Sequence, residues 1–123
     1  MQIISPHLAR PVAATWHDIA DLIPRLLEGA GSYAVIAEDE LTYAQVQWVD
    51  GGFILEHQAG STDRHFRAKR RDFQVQDIVG VLSAYCGRSP GWSHGIEFER
   101  IAVRRPVSFR LGHALGQAAG IFF

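Results

Sequence analysis

The chain predicts an α+β fold, one antiparallel sheet of about five strands with two helices packed on one of its faces. Three observations lead there. Apolar residues recur at helical spacing in two stretches, one beginning near Thr15 and one near Asp72. Between and after those stretches the spacing changes to that of strands. The strand-like runs follow one another through short turns rich in Gly, which antiparallel neighbours use and parallel ones cannot. With 123 residues, 47% of them hydrophobic and 20% charged, the chain suits one core, so residues 1–123 read as a single domain. Gly and Pro together number 17, too few for a collagen-like or low-complexity chain, and the apolar content is too high for disorder.

The first helix starts at Thr15, a capping residue with Asp18 three positions on, and Trp16, Ile19, Ile23, Leu26 and Leu27 form its apolar pattern. Gly29 and Gly31 stop it, and Pro24 predicts a kink or a broken pair of turns near Leu22 and Ile23. YAVIAE then reads as a strand, EDEL as a turn, and LTYAQVQWVD and FILEHQA as two strands flanking Gly51-Gly52. Both central positions of a type I′ turn take positive φ, so the Gly pair predicts the hairpin loop, with Trp48 opposite Leu55, Val46 opposite His57 and Gln47 opposite Glu56. A loop at 60–63 then places Phe66 opposite His57, Arg67 opposite Glu56 and Ala68 opposite Leu55.

These registers sort the side chains by face. One face collects Ala44, Val46, Trp48, Leu55, His57, Phe66 and Ala68, and the other collects Gln45, Gln47, Glu56, Gln58, His65 and Arg67. The second set predicts a solvated polar face, as antiparallel sheets often have. His57, on the apolar face, reads as a hydrogen-bonded core histidine. The second helix carries the stripe Val75, Ile78, Val79, Leu82 and Tyr85, with Asp72 as its cap and Gly87 just past its last turn. RSPGWSHG is a loop, and IEFERIAVRR a last strand whose buried phase switches near Arg100. The tail ends Ile121-Phe122-Phe123, apolar enough to need a cover.

Cys86 is the only cysteine, which removes intramolecular disulfides, thiolate zinc sites and Cys-x-x-Cys redox chemistry. MQIISPHLARP has no signal-peptide core, and no run approaches the length of a membrane span, so the expectation is a soluble cytoplasmic protein. Neither GxGxxG, a Walker loop nor GxSxG occurs, and the six histidines have no metal-ligand spacing beyond an isolated His94-x-x-Glu97. No cofactor and no metal are expected.

Charge is distributed unevenly. Residues 1–63 hold two Arg against nine carboxylates, and residues 64–123 hold ten Lys or Arg against four. The densest basic run, RHFRAKRR at 64–71, opens a nucleic-acid reading, although alternation turns Phe66 and Ala68 inward and leaves no stacking aromatic on that strand. Glu56 opposite Arg67, with His65 alongside, is the one acid/base constellation and opens a hydrolase reading. Trp92 and the acidic turn Glu38-Asp39-Glu40 suit a protein partner better than either.

The runs LTYAQV, GGFILEHQAGSTDRHFRA, VGVLSAYCGRSPGW and IEFER together resemble a group of small bacterial α+β proteins that includes immunity partners of contact-dependent and polymorphic toxins. The resemblance covers residues 41–101. It implies a cytosolic, non-catalytic protein without cofactors that binds and neutralises a cognate toxin by blocking its active site, and it carries no catalytic residue over. Against a toxin with a basic substrate groove, such as a nuclease, the Glu38-Asp39-Glu40 turn is the natural binding surface, with Glu56, His65, Arg67 and Trp92 as further contacts.

Overall fold

Seven antiparallel strands form one open sheet in the computed structural model, which describes residues 1–102. The elements in chain order are β1 (Gln2–Ile4), β2 (Val12–Ala13), α1 (Trp16–Arg25), a 3-10 turn (Leu26–Glu28), β3 (Tyr33–Asp39), β4 (Thr42–Val49) and β5 (Gly52–Ala59). A second 3-10 turn (Thr62–Arg64), β6 (His65–Ala68), α2 (Val75–Cys86) and β7 (Phe98–Arg100) follow. The sheet order is β2-β1-β3-β4-β5-β6-β7, so from β3 to β7 each strand pairs with the next one in the chain. The class is the expected α+β. The two strands beyond the expected five are β1 and β2, three and two residues long, too short to show a period.

The central hairpin turns one residue earlier than Gly51-Gly52. Val46 pairs with Leu55, Trp48 with Phe53 and Val49 with Gly52, which leaves Asp50 and Gly51 as the loop. Both have positive φ, 51° and 76°, the signature of a type I′ turn, and aspartate is one of the few residues besides glycine that accepts this region. Gly52 belongs instead to the strand, where the backbone and side chain of Arg71 crowd the position a Cβ would take. The shift moves each partner by two, so the division of residues between faces survives. The β5–β6 register is as expected, with Glu56 opposite Arg67, His57 opposite Phe66 and Gln58 opposite His65.

Thr15 caps α1, accepting from the Asp18 amide at 3.2 Å. The α-helix is continuous through Leu22 and Ile23 to Arg25, with Pro24 inside it. Pro24 lies in the last turn, where the chain tightens into the 3-10 turn and Leu26 N–H reaches back to Ile23 O. Ile19, Leu22, Ile23 and Leu26 are buried, but Trp16 and Leu27, expected in the core stripe, are 60% and 43% exposed. In α2 the cap is Gln74, which exchanges hydrogen bonds with Asp77 in a capping box, while Asp72 pairs with Arg70 at 2.8 Å. The helix ends in a Schellman motif: Arg88 N–H bonds Tyr85 O and Ser89 N–H bonds Ala84 O, both at 3.0 Å. The left-handed residue is Arg88, with φ 58°, and Gly87 is the preceding cap at φ −77°.

Both helices pack on the face that carries Ile3, Ala34, Ile36, Ala44, Val46, Phe53, Leu55 and Ala68, joined by Ile78, Leu82 and Tyr85 of α2. The opposite face is not solvated. Val35, Ala37, Tyr43, Gln45 and Glu56 on it have no exposed surface, and Gln58 and His65 only 2%. Alternation of residue type located these side chains on one face correctly but said nothing of water reaching them. Within the described part of the strand expected over 96–105, β7 spans Phe98–Arg100 and Ile101 N–H then bonds His65 O at 2.9 Å; residues 103–105 and the expected apolar tail lie outside the described residues.

Candidate functional site

The seven residues singled out from sequence fall into two separate groups. Glu56 on β5 and His65 and Arg67 on β6 form one network, buried at Glu56 and His65 and 36% exposed at Arg67, because antiparallel register sets Glu56 directly across from Arg67 and diagonally from His65. Arg67 Nε donates to Glu56 Oε2 at 2.9 Å, and His65 Nε2 meets the other carboxylate oxygen, Oε1. Gln58 completes the set. Its amide nitrogen donates to Leu41 O at 3.1 Å, which turns its oxygen toward Tyr43 OH at 3.2 Å and His65 Nδ1 at 3.0 Å. Both imidazole nitrogens therefore face side-chain oxygens, that of Gln58 on one side and of Glu56 on the other. Every polar atom of the Glu56 carboxylate and the His65 ring is thereby engaged inside the protein. Burial and the Glu56 charge push the Tyr43 hydroxyl well above its ordinary pKa, so it stays a donor.

The second group lies at one end of the sheet and is open to solvent. A register shift between Ala37 and Asp39 makes Glu38 the extra residue of a bulge, a device that re-aims a side chain. Glu38 reaches the C-terminal end of α2 and takes Arg88 Nη1 at 2.5 Å. Next along the chain, Asp39 Oδ1 accepts from Leu41 N–H at 2.8 Å, which closes the turn and leaves Leu41, at the end of the acidic run, 50% exposed. Asp39, Glu40 and Leu41 line an open hollow of about 460 Å³ that continues to Gly60. On the other side of the turn Glu38, Tyr85, Arg88 and Trp92 line a second, of about 240 Å³.

Trp92 is anchored rather than free. Its ring meets Tyr85 edge-on at 4.9 Å and His57 at 4.9 Å, and Phe98 lies 6.0 Å away. Burial first, then Glu38 and Asp39, raise the Tyr85 hydroxyl to about 12, so it is neutral. His57 stacks on Phe66 at 4.9 Å and meets Phe98 edge-on at 4.7 Å, so rings surround it in place of the hydrogen-bond partners expected for a core histidine. Burial, with a smaller push from His65, lowers it to about 4.

The basic run is largely engaged within the chain. Arg67 pairs with Glu56, Lys69 with Glu97 at 3.0 Å, Arg70 with Asp72, and Arg71 donates to Val49 O. Sequence reasoning identified the acidic turn and Trp92 but missed Leu41, Tyr85 and Arg88. The lone Leu inside an acidic turn was a readable signal. Arg88 left none, because its role follows from a helix ending one residue later than Gly87 suggests. Among the described residues no group of three or more His, Cys, Asp or Glu side chains is placed to hold a metal ion, and no helix is long and apolar enough to cross a membrane. No protein-family profile, no curated protein and no solved structure matches this chain.

Proposed function

We propose that this chain is a non-catalytic immunity protein of the bacterial cytoplasm, which neutralises a cognate toxin by covering its active site with the Glu38–Leu41 end of the sheet. The observation that carries the reading is the turn itself. It sets a half-exposed leucine directly after three carboxylates, in a hollow it shares with Asp39 and Glu40, which is the pairing of an apolar anchor with an acidic rim that a basic, substrate-binding groove would accept. A nuclease is the toxin class this favours, since its groove is built for polyanions. The resemblance over residues 41–101 points the same way.

Two other readings fit less well. A hydrolase would need Glu56 or His65 to reach a substrate, and both are buried and saturated with internal partners. A nucleic-acid module would need the 64–71 strand to offer its cations together, but Arg67 is committed to buried Glu56 and Arg71 to Val49 O, and Lys69 and Arg70 would have to open their exposed ion pairs.

The test is affinity purification of the tagged full chain from its host, mass spectrometry, and calorimetry on the co-purifying protein. One stoichiometric toxin-like partner is expected, with Leu41→Asp or the triple replacement of Glu38, Asp39 and Glu40 by Ala weakening binding by at least about 2 kcal/mol. Nucleic acid in the eluate, or a partner whose affinity ignores these changes, overturns the reading.

A further inference from the structure

Two departures from ideal backbone geometry converge on one ion pair. Glu38 occupies a bulge in β3, and Arg88 occupies the left-handed position after α2, where glycine is the ordinary choice. The left-handed position at 88 ends the helix, but it does not call for an arginine there. A regular strand would continue without the bulge, and glycine would end the helix without strain. Their joint effect is to bring a carboxylate and a guanidinium together at 2.5 Å, at the mouth of a hollow whose inner wall is the edge-on ring pair of Tyr85 and Trp92.

We infer that this hollow is a subsite for a guanidinium, the side chain of an arginine presented by the protein partner, with Glu38 as its carboxylate and Trp92 and Tyr85 as its aromatic wall. The inference deepens the proposed immunity reading by naming the group that the partner would insert. The chain supplies its own precedent. Arg88 already places a guanidinium on Glu38 through one Nη1–Oε1 contact, in a hollow that Trp92 also lines, so the charge of the ligand is represented in the free protein. That internal pair is open to exchange. The two side chains are 62% and 38% exposed, and an ion pair so solvated is weak and easily replaced. A guanidinium suits the site better than an ammonium, since it can lie flat against an indole while its edge donates two parallel hydrogen bonds to a carboxylate. Tyr85 remains neutral and adds no competing charge.

The experiment needs no toxin. Argininamide is titrated into the full chain while the Trp92 indole N–H signal is followed by NMR, with sodium chloride at matched ionic strength and a neutral amide as controls. A saturable shift of the Trp92 signal specific to argininamide is expected. Glu38→Gln should weaken the fitted affinity by about tenfold or remove the shift, and Arg88→Gly, which frees Glu38 and relaxes the left-handed position, should tighten it about threefold. Both changes lie at the surface, and thermal melts confirm that the variants fold. No argininamide-specific shift, or a shift that Glu38→Gln leaves intact, overturns the inference. A saturable shift in a protein that captures no toxin would leave the guanidinium subsite standing and retire the immunity reading, so the two fail separately.

Discussion

At the scale of single residues, Glu56 is where charge and burial meet. A carboxylate with no exposed surface survives because a guanidinium holds one oxygen and an imidazole the other. Removing it leaves the buried His65 without its partner and opens a hole beside half-open Arg67, rather than simply deleting two hydrogen bonds. Glu56→Ala is therefore expected to destabilise by about 3–5 kcal/mol, read as a lower urea midpoint at unchanged slope; a loss under about 1 kcal/mol would mean that water reaches the network. His57 behaves differently, because its ring packs on other rings. Its value of about 4 in the folded chain lies below the ordinary 6.5, so the unfolded chain binds the proton more tightly. Stability is then fully present above pH 6.5 and is lost as pH falls from 6.5 toward 4, by about 1–3 kcal/mol after allowance for partial exposure. His57→Phe keeps the ring contacts and should remove that part of the pH dependence, which the difference between wild-type and variant melts isolates. The sequence placed these two histidines on opposite faces correctly. It misjudged the solvation of the Glu56 face, because a buried network of Glu, His, Gln and Arg alternates along a strand as a wet face does.

At the scale of elements, periodicity predicted α1, α2 and the run of strands from β3 to β7, and the errors concentrate at ends and turns. The reason is local. Apolar spacing reports which residues face a core, whereas the residue that turns a chain is decided by which position must take positive φ. Glycines at 51 and 52 compete for that role, and the solution uses Asp50 and Gly51, since Gly52 is better spent beneath Arg71, where a side chain would collide. The helix cap at Gln74 and the left-handed Arg88 are errors of the same kind, each displaced by one or two residues from the obvious candidate. The hairpin assignment has a direct check. Asp50→Val puts a β-branched residue in a left-handed position and should cost about 1–2 kcal/mol, while Asp50→Gly should change stability by no more than a few tenths. Were the loop Gly51-Gly52, position 50 would be a strand end and valine would be tolerated.

At the scale of the whole molecule, the acidic first half and basic second half of the chain are interleaved by the fold. Glu56 and Glu38 from the first half take His65, Arg67 and Arg88 from the second. What looked along the chain like a polyanion-binding segment becomes, in three dimensions, a strand whose Arg67 is committed to buried Glu56 and whose Lys69 and Arg70 sit in exposed ion pairs. Segregation in sequence is thus a poor guide to segregation in space, since antiparallel pairing places distant segments side by side. The consequence is measurable as retention on heparin. Counterion release makes binding steeply salt-dependent in proportion to the number of cations free to meet the polymer, and here Lys69 and Arg70 would each have to leave an exposed carboxylate partner first. The protein should therefore elute from heparin below about 0.2 M salt, and charge reversal at Glu97 and Asp72, which releases Lys69 and Arg70, should move elution upward. Retention of the wild type beyond about 0.5 M salt would show instead that the exposed ion pairs open at no cost, and would bring the 64–71 strand back as a nucleic-acid surface.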